Sequence, residues 1–230
     1  MVTETPKPLP LLVPAMLGLT AGYVDTASFM ALHGLFTAHV TGNFVTIGAA
    51  IVFGTAGVVT KLLALPTFCV ALLVFRLLHY RLVQRGWQVL KTFLGLQVVV
   101  LAMAGALAIY HGSFSRDDDW ATMATGLLLV AGMAIQNGVQ RVHMGSTPPT
   151  TIMTGTTTQI MLDLGDLVHG SSGEQRAVVT GRLARMGQAV LVFAVGCALG
   201  AFLYAIIGVW CFALPPLLVL LAYLQCSKGT

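Results

Sequence analysis

Apolar residues are concentrated in six runs, at about 11–33, 62–80, 92–111, 121–140, 186–207 and 209–226. Each is close to the roughly 20 residues that a helix needs to cross a hydrocarbon core. Polar punctuation separates them. Arg76, Arg81, Arg85 and Lys91 bracket the turn between the second and third runs. The cluster from Ser115 to Asp119 belongs in water, because charge in hydrocarbon is costly. A Gly/Ser/Glu stretch at 170–176, followed by Arg176, Arg182 and Arg185, reads as another exposed loop. Pro215 and Pro216 predict that the last helix is kinked or short.

Two further segments, about 37–54 and 146–168, have a different pattern. Each places a Thr-Gly pair (Thr41-Gly42 and Thr154-Gly155) after a polar, poorly helical stretch and then continues into something helical. Glycine favours a broken backbone, and Pro148 and Pro149 oppose helix before them. Irregular backbone at membrane depth survives only where protein or a wet cavity covers it. A linker outside the membrane is the alternative; the preferred reading is two broken or re-entrant segments facing the protein interior. Ala21-Gly22 and Ala131-Gly132 precede the two Thr-Gly pairs at similar offsets, which marks a weak internal repeat with halves at about 11–111 and 121–226. The expected fold is therefore all-α, a polytopic membrane helix bundle forming one integral membrane domain over residues 1–230. It has about six spanning helices, two special segments and an inverted repeat.

Composition sharpens this picture. The 230 residues are 57% apolar and only 9% charged, with a mean hydropathy of +0.86. A soluble domain carries about a quarter charged residues, and disorder needs low hydrophobicity and high charge. Both classes are excluded. The net charge of +4 comes from basic residues scattered in small groups beside apolar runs, which does not fit a nucleic-acid patch. If neither special segment crosses, ten of the 12 Lys and Arg fall on one face and two, Lys61 and Arg116, on the other. If both cross, the split is seven to five. The positive-inside rule selects the first arrangement. Both termini are then cytoplasmic, and each half has an odd number of spans, so the halves insert in opposite senses. The first run reads as a retained helix rather than a signal peptide, since no small-residue cleavage site follows a short apolar core.

Candidate chemistry is sparse. Asp25 lies inside the first apolar run, where a carboxylate needs a partner or a cavity. It serves either as a proton- or ion-linked carboxylate or substrate contact, or as a group hydrogen-bonded to a neighbouring helix for register. Gly18 and Gly22, like Gly196 and Gly200, form small-residue packing steps. His39, Thr41, Gly42 and Asn43 in the first special segment are expected to face Thr154, Gly155 and Thr156 in the second. Thr156, Gln159, Asp163 and Asp166 share one helical face, with Asp163 the deeper ionisable group. Gln136 and Gln140 share a face at the end of the fourth run, as do Asn137 and Arg141, and this end also points inward. Helix starts favour anions, whereas unwound carbonyls and carboxylates favour cations, so the sign of a solute stays open. Trp87, Tyr110, Trp120 and Tyr223 read as interfacial anchors. Cys69, Cys197, Cys211 and Cys226 read as packing thiols, with no CxxC pair. No GxSxG, HExxH, Walker A or GxGxxG motif occurs, so neither an enzyme nor a cofactor or metal site is expected.

Tyr23-Val24-Asp25, followed by Gly34-Leu35-Phe36 and Thr41-Gly42-Asn43, resembles the YoaK-like family of uncharacterised bacterial inner-membrane proteins. The resemblance implies a small polytopic membrane protein, often labelled a permease, with no established substrate. Where the repeat would place a second copy of Asp25, the chain has Ile135. The resulting expectation is a transporter or permease for a small polar solute, with proton coupling through Asp25 or Asp163 as one version. A membrane-embedded assembly or regulatory subunit and a passive channel are the alternatives. The partners implied are the lipid bilayer and a small polar solute or ion, not nucleic acid; a homo-oligomer is left open.

Overall fold

Glycine-lined contacts fix the direction of nearly every long helix relative to its neighbours. The computed structural model describes residues 10, 12–114, 119–151, 153–170 and 173–228. Its helices are α1 (Leu12–Ala31), α2 (Asn43–Phe53), α3 (Val58–Gln84), α4 (Val89–His111), α5 (Trp120–His143), α6 (Met153–His169), α7 (Gly173–Ile207) and α8 (Leu214–Lys228). A 3-10 turn, Val40–Gly42, leads into α2, and another, Gly208–Ala213, leads into α8. No strand occurs among the described residues. The chain is a helical membrane bundle, as expected.

Gly18 meets Val192, Gly22 meets Phe193 and Cys197, and Gly200 meets Tyr23, so α1 and α7 run parallel. Gly126 meets Thr60 and Gly138 meets Phe75, so α3 and α5 also run parallel. Gly132 against Leu101 with Gln136 against Gln97 makes α4 antiparallel to α5, and Gly105 against Phe212 with Gly95 against Tyr223 makes it antiparallel to α8. α1 and α5 oppose each other: Gly126 lies by Leu32, while Gln136 bonds the Leu17 carbonyl. Thus α1, α4 and α7 point one way and α3, α5 and α8 the other. Exchanging the halves maps the α1–α7 packing onto α5–α3, α1–α8 onto α5–α4, and α2–α3 onto α6–α7. That is the inverted repeat.

Burial follows the same symmetry. α1 and α5, the first helices of the two halves, form the centre, with most of their side chains against protein. Central helices need less apolar surface than lipid-facing ones, and an 18-residue stretch of α5 accordingly has a mean hydropathy of 1.3 against 2.3 and 2.2 for those of α3 and α4. By length and composition, α3, α4, α5 and the run Gly173–Cys226 containing α7 and α8 can cross a membrane. α1 is not among these, because it carries Thr20, Tyr23, Asp25, Thr26 and Ser28 in the protected centre. The α1–α7 approach is the closest in the bundle. A Cβ on Gly22 would fall on the Phe193 carbonyl oxygen, and one on Gly196 on that of Leu19. Tyr23 adds a buried tie, its hydroxyl donating to the Cys211 carbonyl at 2.7 Å.

One expectation changes here. Residues 173–185 are not a loop but the start of α7, which at 35 residues extends about 52 Å. Because Val192 already sits beside Gly18, the segment bearing Arg176, Arg182 and Arg185 stands beyond the start of α1. Pro215 and Pro216 lie in the first turn of the last helix, where few backbone N–H groups have helical partners anyway, and that helix is short, at 15 residues, as expected. Lys61 lies in the first turns of α3, buried, with Nζ donating to the Ala56 carbonyl at 3.4 Å. Asp119 N-caps α5 through the Thr122 N–H, while Ser115 to Asp118 lie outside the described residues. The helix directions gather Arg76, Arg81, Arg85, Lys91, Arg141, Arg176, Arg182 and Arg185 at one end of the bundle. Trp87 is exposed at that end, and Tyr110 and Trp120 at the other.

Gly22→Ala and Gly196→Ala are expected to destabilise the protein by about 1–3 kcal/mol each, because the added methyl meets a facing carbonyl. Gly48→Ala, in open space on α2, is expected to be neutral or mildly stabilising. Equilibrium unfolding in detergent compares the three.

Candidate functional site

After α1 the chain reverses at His33 and Gly34, both with positive φ (54° and 85°), and the Gly34 N–H bonds the Phe29 carbonyl. It then runs back along α1 as far as the level of Asp25, about 9 Å below the helix end at 1.5 Å per residue. α2 climbs back, and Gly57 lies against His33. The first special segment is therefore re-entrant in its path.

Asp25 holds the bottom of this loop. Its Oδ1 accepts the N–H groups of Thr37 and Ala38, both at 2.7 Å, and more weakly the Thr37 hydroxyl at 3.4 Å. His39 Nδ1 lies 2.6 Å from the other oxygen, Oδ2. Only 4% of Asp25 is exposed, so these contacts replace water for a buried carboxylate. Ser28 adds a bond to the Leu35 carbonyl, and Asn43, at the start of α2, bonds both the N–H and the carbonyl of Phe36. Gly42 packs under the Phe36 ring, whereas Thr41 is exposed. His39 stands edge-on to Phe193 of α7 with ring centroids 5.5 Å apart. The geometry displays Asp25 in a hydrogen-bonding role, though not the one expected. Its partners are its own returning loop rather than a neighbouring helix.

The second half repeats the device with neutral groups. Beyond α5, Pro148 and Pro149 lead Thr150 and Thr151 back to the level of Gln136 and Asn137. Gln136 Nε2 donates to the Leu17 carbonyl and to the Thr150 hydroxyl, and its Oε1 accepts from Gln97 of α4 at 2.9 Å. Thr151 donates to Asn137 Oδ1 at 3.0 Å. Gln140 Nε2 donates to the Met144 carbonyl and the Thr147 hydroxyl. Gln136 and Gln140 are buried and Asn137 half-buried, whereas Arg141, expected to point inward with them, is exposed.

α6 departs from expectation. Thr154 and Gly155 are exposed in its first turn, and no atom would meet a Cβ on Gly155. Thr156 and Asp163 are buried on the predicted polar face, but that face packs on α7 and does not line an open interior. Asp163 takes Arg182 Nε at 2.7 Å and Nη2 at 2.5 Å, with Gln159 completing the cluster. His39, Thr41 and Asn43 do not face Thr154 and Thr156. α2 packs on α3 and α6 on α7, because the symmetry sends the two loops to opposite ends of the central helices.

A profile of the family described as "Protein of unknown function (DUF1275)" matches residues 13–225. The chain belongs to this family. No curated protein and no solved structure matches it. Within this DUF1275 chain, several site residues escaped notice in the sequence. Thr37 and Ala38 act through backbone N–H groups, which no side-chain pattern reveals. Gln97, a lone amide in the third apolar run, carried a signal of the same kind as Asp25.

Asp25→Ala leaves the Thr37 and Ala38 N–H groups buried without their acceptor, at about 1–3 kcal/mol each. The thermal midpoint is expected to fall and the 32–42 segment to become protease-sensitive. Asp25→Asn keeps one acceptor oxygen and is expected to lose less.

Proposed function

We propose that the protein is a secondary transporter for a small polar solute. Antiparallel halves with interrupted segments are a recurring transporter architecture. The observation that carries this reading is that each half returns a non-helical loop to depth and ties it to the first helix of that half, by Asp25 in one case and by Gln136 and Asn137 in the other. A loop held by a few side-chain bonds can be released and re-formed without unfolding a spanning helix. The permease label carried by the YoaK-like resemblance points the same way. In this reading the protein sits in the bacterial inner membrane. Its basic end, with both termini, is cytoplasmic, as the positive-inside rule requires.

Proton coupling belongs to this proposal through Asp25, whose partner His39 is a residue type that titrates near neutral pH. Asp163 serves instead as a brace, since Arg182 occupies both its oxygens.

Purified protein in proteoliposomes, given radiolabelled inorganic phosphate, small carboxylates and amino acids, is expected to take up at least one of them with saturation. Asp25→Asn is expected to lower that uptake by roughly tenfold, about 1.4 kcal/mol in the transport barrier, and to flatten its pH dependence. Uptake that never saturates would instead identify a channel. No uptake, together with a stable co-purifying protein, would identify an assembly subunit.

A further inference from the structure

A pocket of about 380 Å³ lies at the basic end, between the last turn of α5, the loop after it and the protruding part of α7. Asn137, Gln140, Arg141, Thr151, Arg182 and Arg185 are among its lining residues, and no carboxylate is. Arg182 is committed to Asp163. Arg141 and Arg185 make no ion pair or hydrogen bond among the described residues. Two guanidinium groups without a carboxylate partner border one concavity, and their planar donor forks match carboxylate and phosphate oxygens.

A second observation is independent of charge. Gln140 is 7% exposed and lines the pocket, and its Nε2 is spent on the loop carbonyls and hydroxyl. Its Oε1 has no hydrogen-bond partner. A buried acceptor in this position calls for a donor. We propose that this pocket binds a small anion that also carries an O–H or N–H group, such as hydrogen phosphate or a hydroxy- or amino-carboxylate. The arginines take its charge, and Gln140 Oε1, shielded as it stands, takes its donor once the amide turns to the lumen.

The site adjoins the loop that Gln136 and Asn137 hold, since Asn137 and Thr151 belong to both. Occupancy therefore bears on how firmly that loop is tied. The inference rests on the transport reading only in naming this anion as the solute; binding itself stands apart from flux. The same phosphate chemistry is offered by an anionic lipid headgroup, because basic pockets near a cytoplasmic surface also hold lipids.

The test uses the full chain in neutral detergent, titrated with inorganic phosphate against chloride of matched ionic strength. A parallel arm uses nanodiscs of phosphatidylcholine with or without phosphatidylglycerol. The variants are Arg141→Gln, Arg185→Gln and the pair together; both side chains are exposed, so an unchanged midpoint without ligand confirms folding. Saturable stabilisation by phosphate beyond chloride, with affinity about tenfold or more weaker in the double variant, supports a free anion. Stabilisation by phosphatidylglycerol alone, lost in the double variant, supports the headgroup as the anion's source. No stabilisation in either arm, or stabilisation undiminished in the double variant, overturns the proposal. Binding without uptake in proteoliposomes retains the site and removes the transport reading. Uptake of a neutral solute at an unchanged rate in the double variant removes the site from the pathway.

Discussion

The carboxylate of Asp25 accepting two consecutive backbone N–H groups is the interaction on which the first half depends. Residues 32–39 are not helical: the Leu32, Gly34 and Leu35 N–H groups find carbonyls along the chain, but those of Thr37 and Ala38 turn to Asp25, and hydrocarbon offers them no alternative. One oxygen of Asp25 takes Thr37 and Ala38 together, and the other takes His39. The charge is thereby solvated by the loop it anchors. With the loop fixed, Asn43 closes the start of α2, α2 returns to Gly57, and α3 sets off beside α5.

The second half solves the same problem without a charge. Its returning loop presents hydroxyls from Thr150 and Thr151, and neutral amides of Gln136 and Asn137 suffice to meet them. The two anchors lie well apart along α1: Gln136 reaches Leu17, eight residues from Asp25 and so about 12 Å away in depth. The pseudo-symmetry thus produces two separate loop sites, one towards each end of a shared central pair of helices. They differ in character. The Asp25 site is compact and fully bonded, whereas the Gln136 end opens onto a pocket bordered by arginines.

Much of this architecture was legible in the pattern of apolar runs. Each of the six runs lies on a helix, and the tally of basic residues anticipated that the halves oppose each other. α7 begins 13 residues earlier than its apolar run, because Arg176, Arg182 and Arg185 lie on helix outside the apolar part and erase the hydropathy signal. The site was legible in its acceptors and illegible in its donors. Asp25, Gln136 and Asn137 stand out as polar groups in apolar surroundings, while the N–H groups they hold have no signature. The expected meeting of the two Thr-Gly segments failed for a geometric reason. An in-plane two-fold axis brings equivalent loops in from opposite sides, and each is bound by the first helix of its own half. Asp163 looked like a free ionisable group because its partner, Arg182, appeared to lie in a loop.

The opposed orientation of the halves can be read most directly by single-cysteine labelling in intact cells with a membrane-impermeant maleimide. Thr55→Cys marks the exposed turn between α2 and α3, and Glu174→Cys the exposed start of α7. Two re-entrant segments in antiparallel halves predict that the first cysteine reacts from outside and the second only after the membrane is permeabilised. Reaction of both from the same side would mean that the second segment crosses, and would contradict the account.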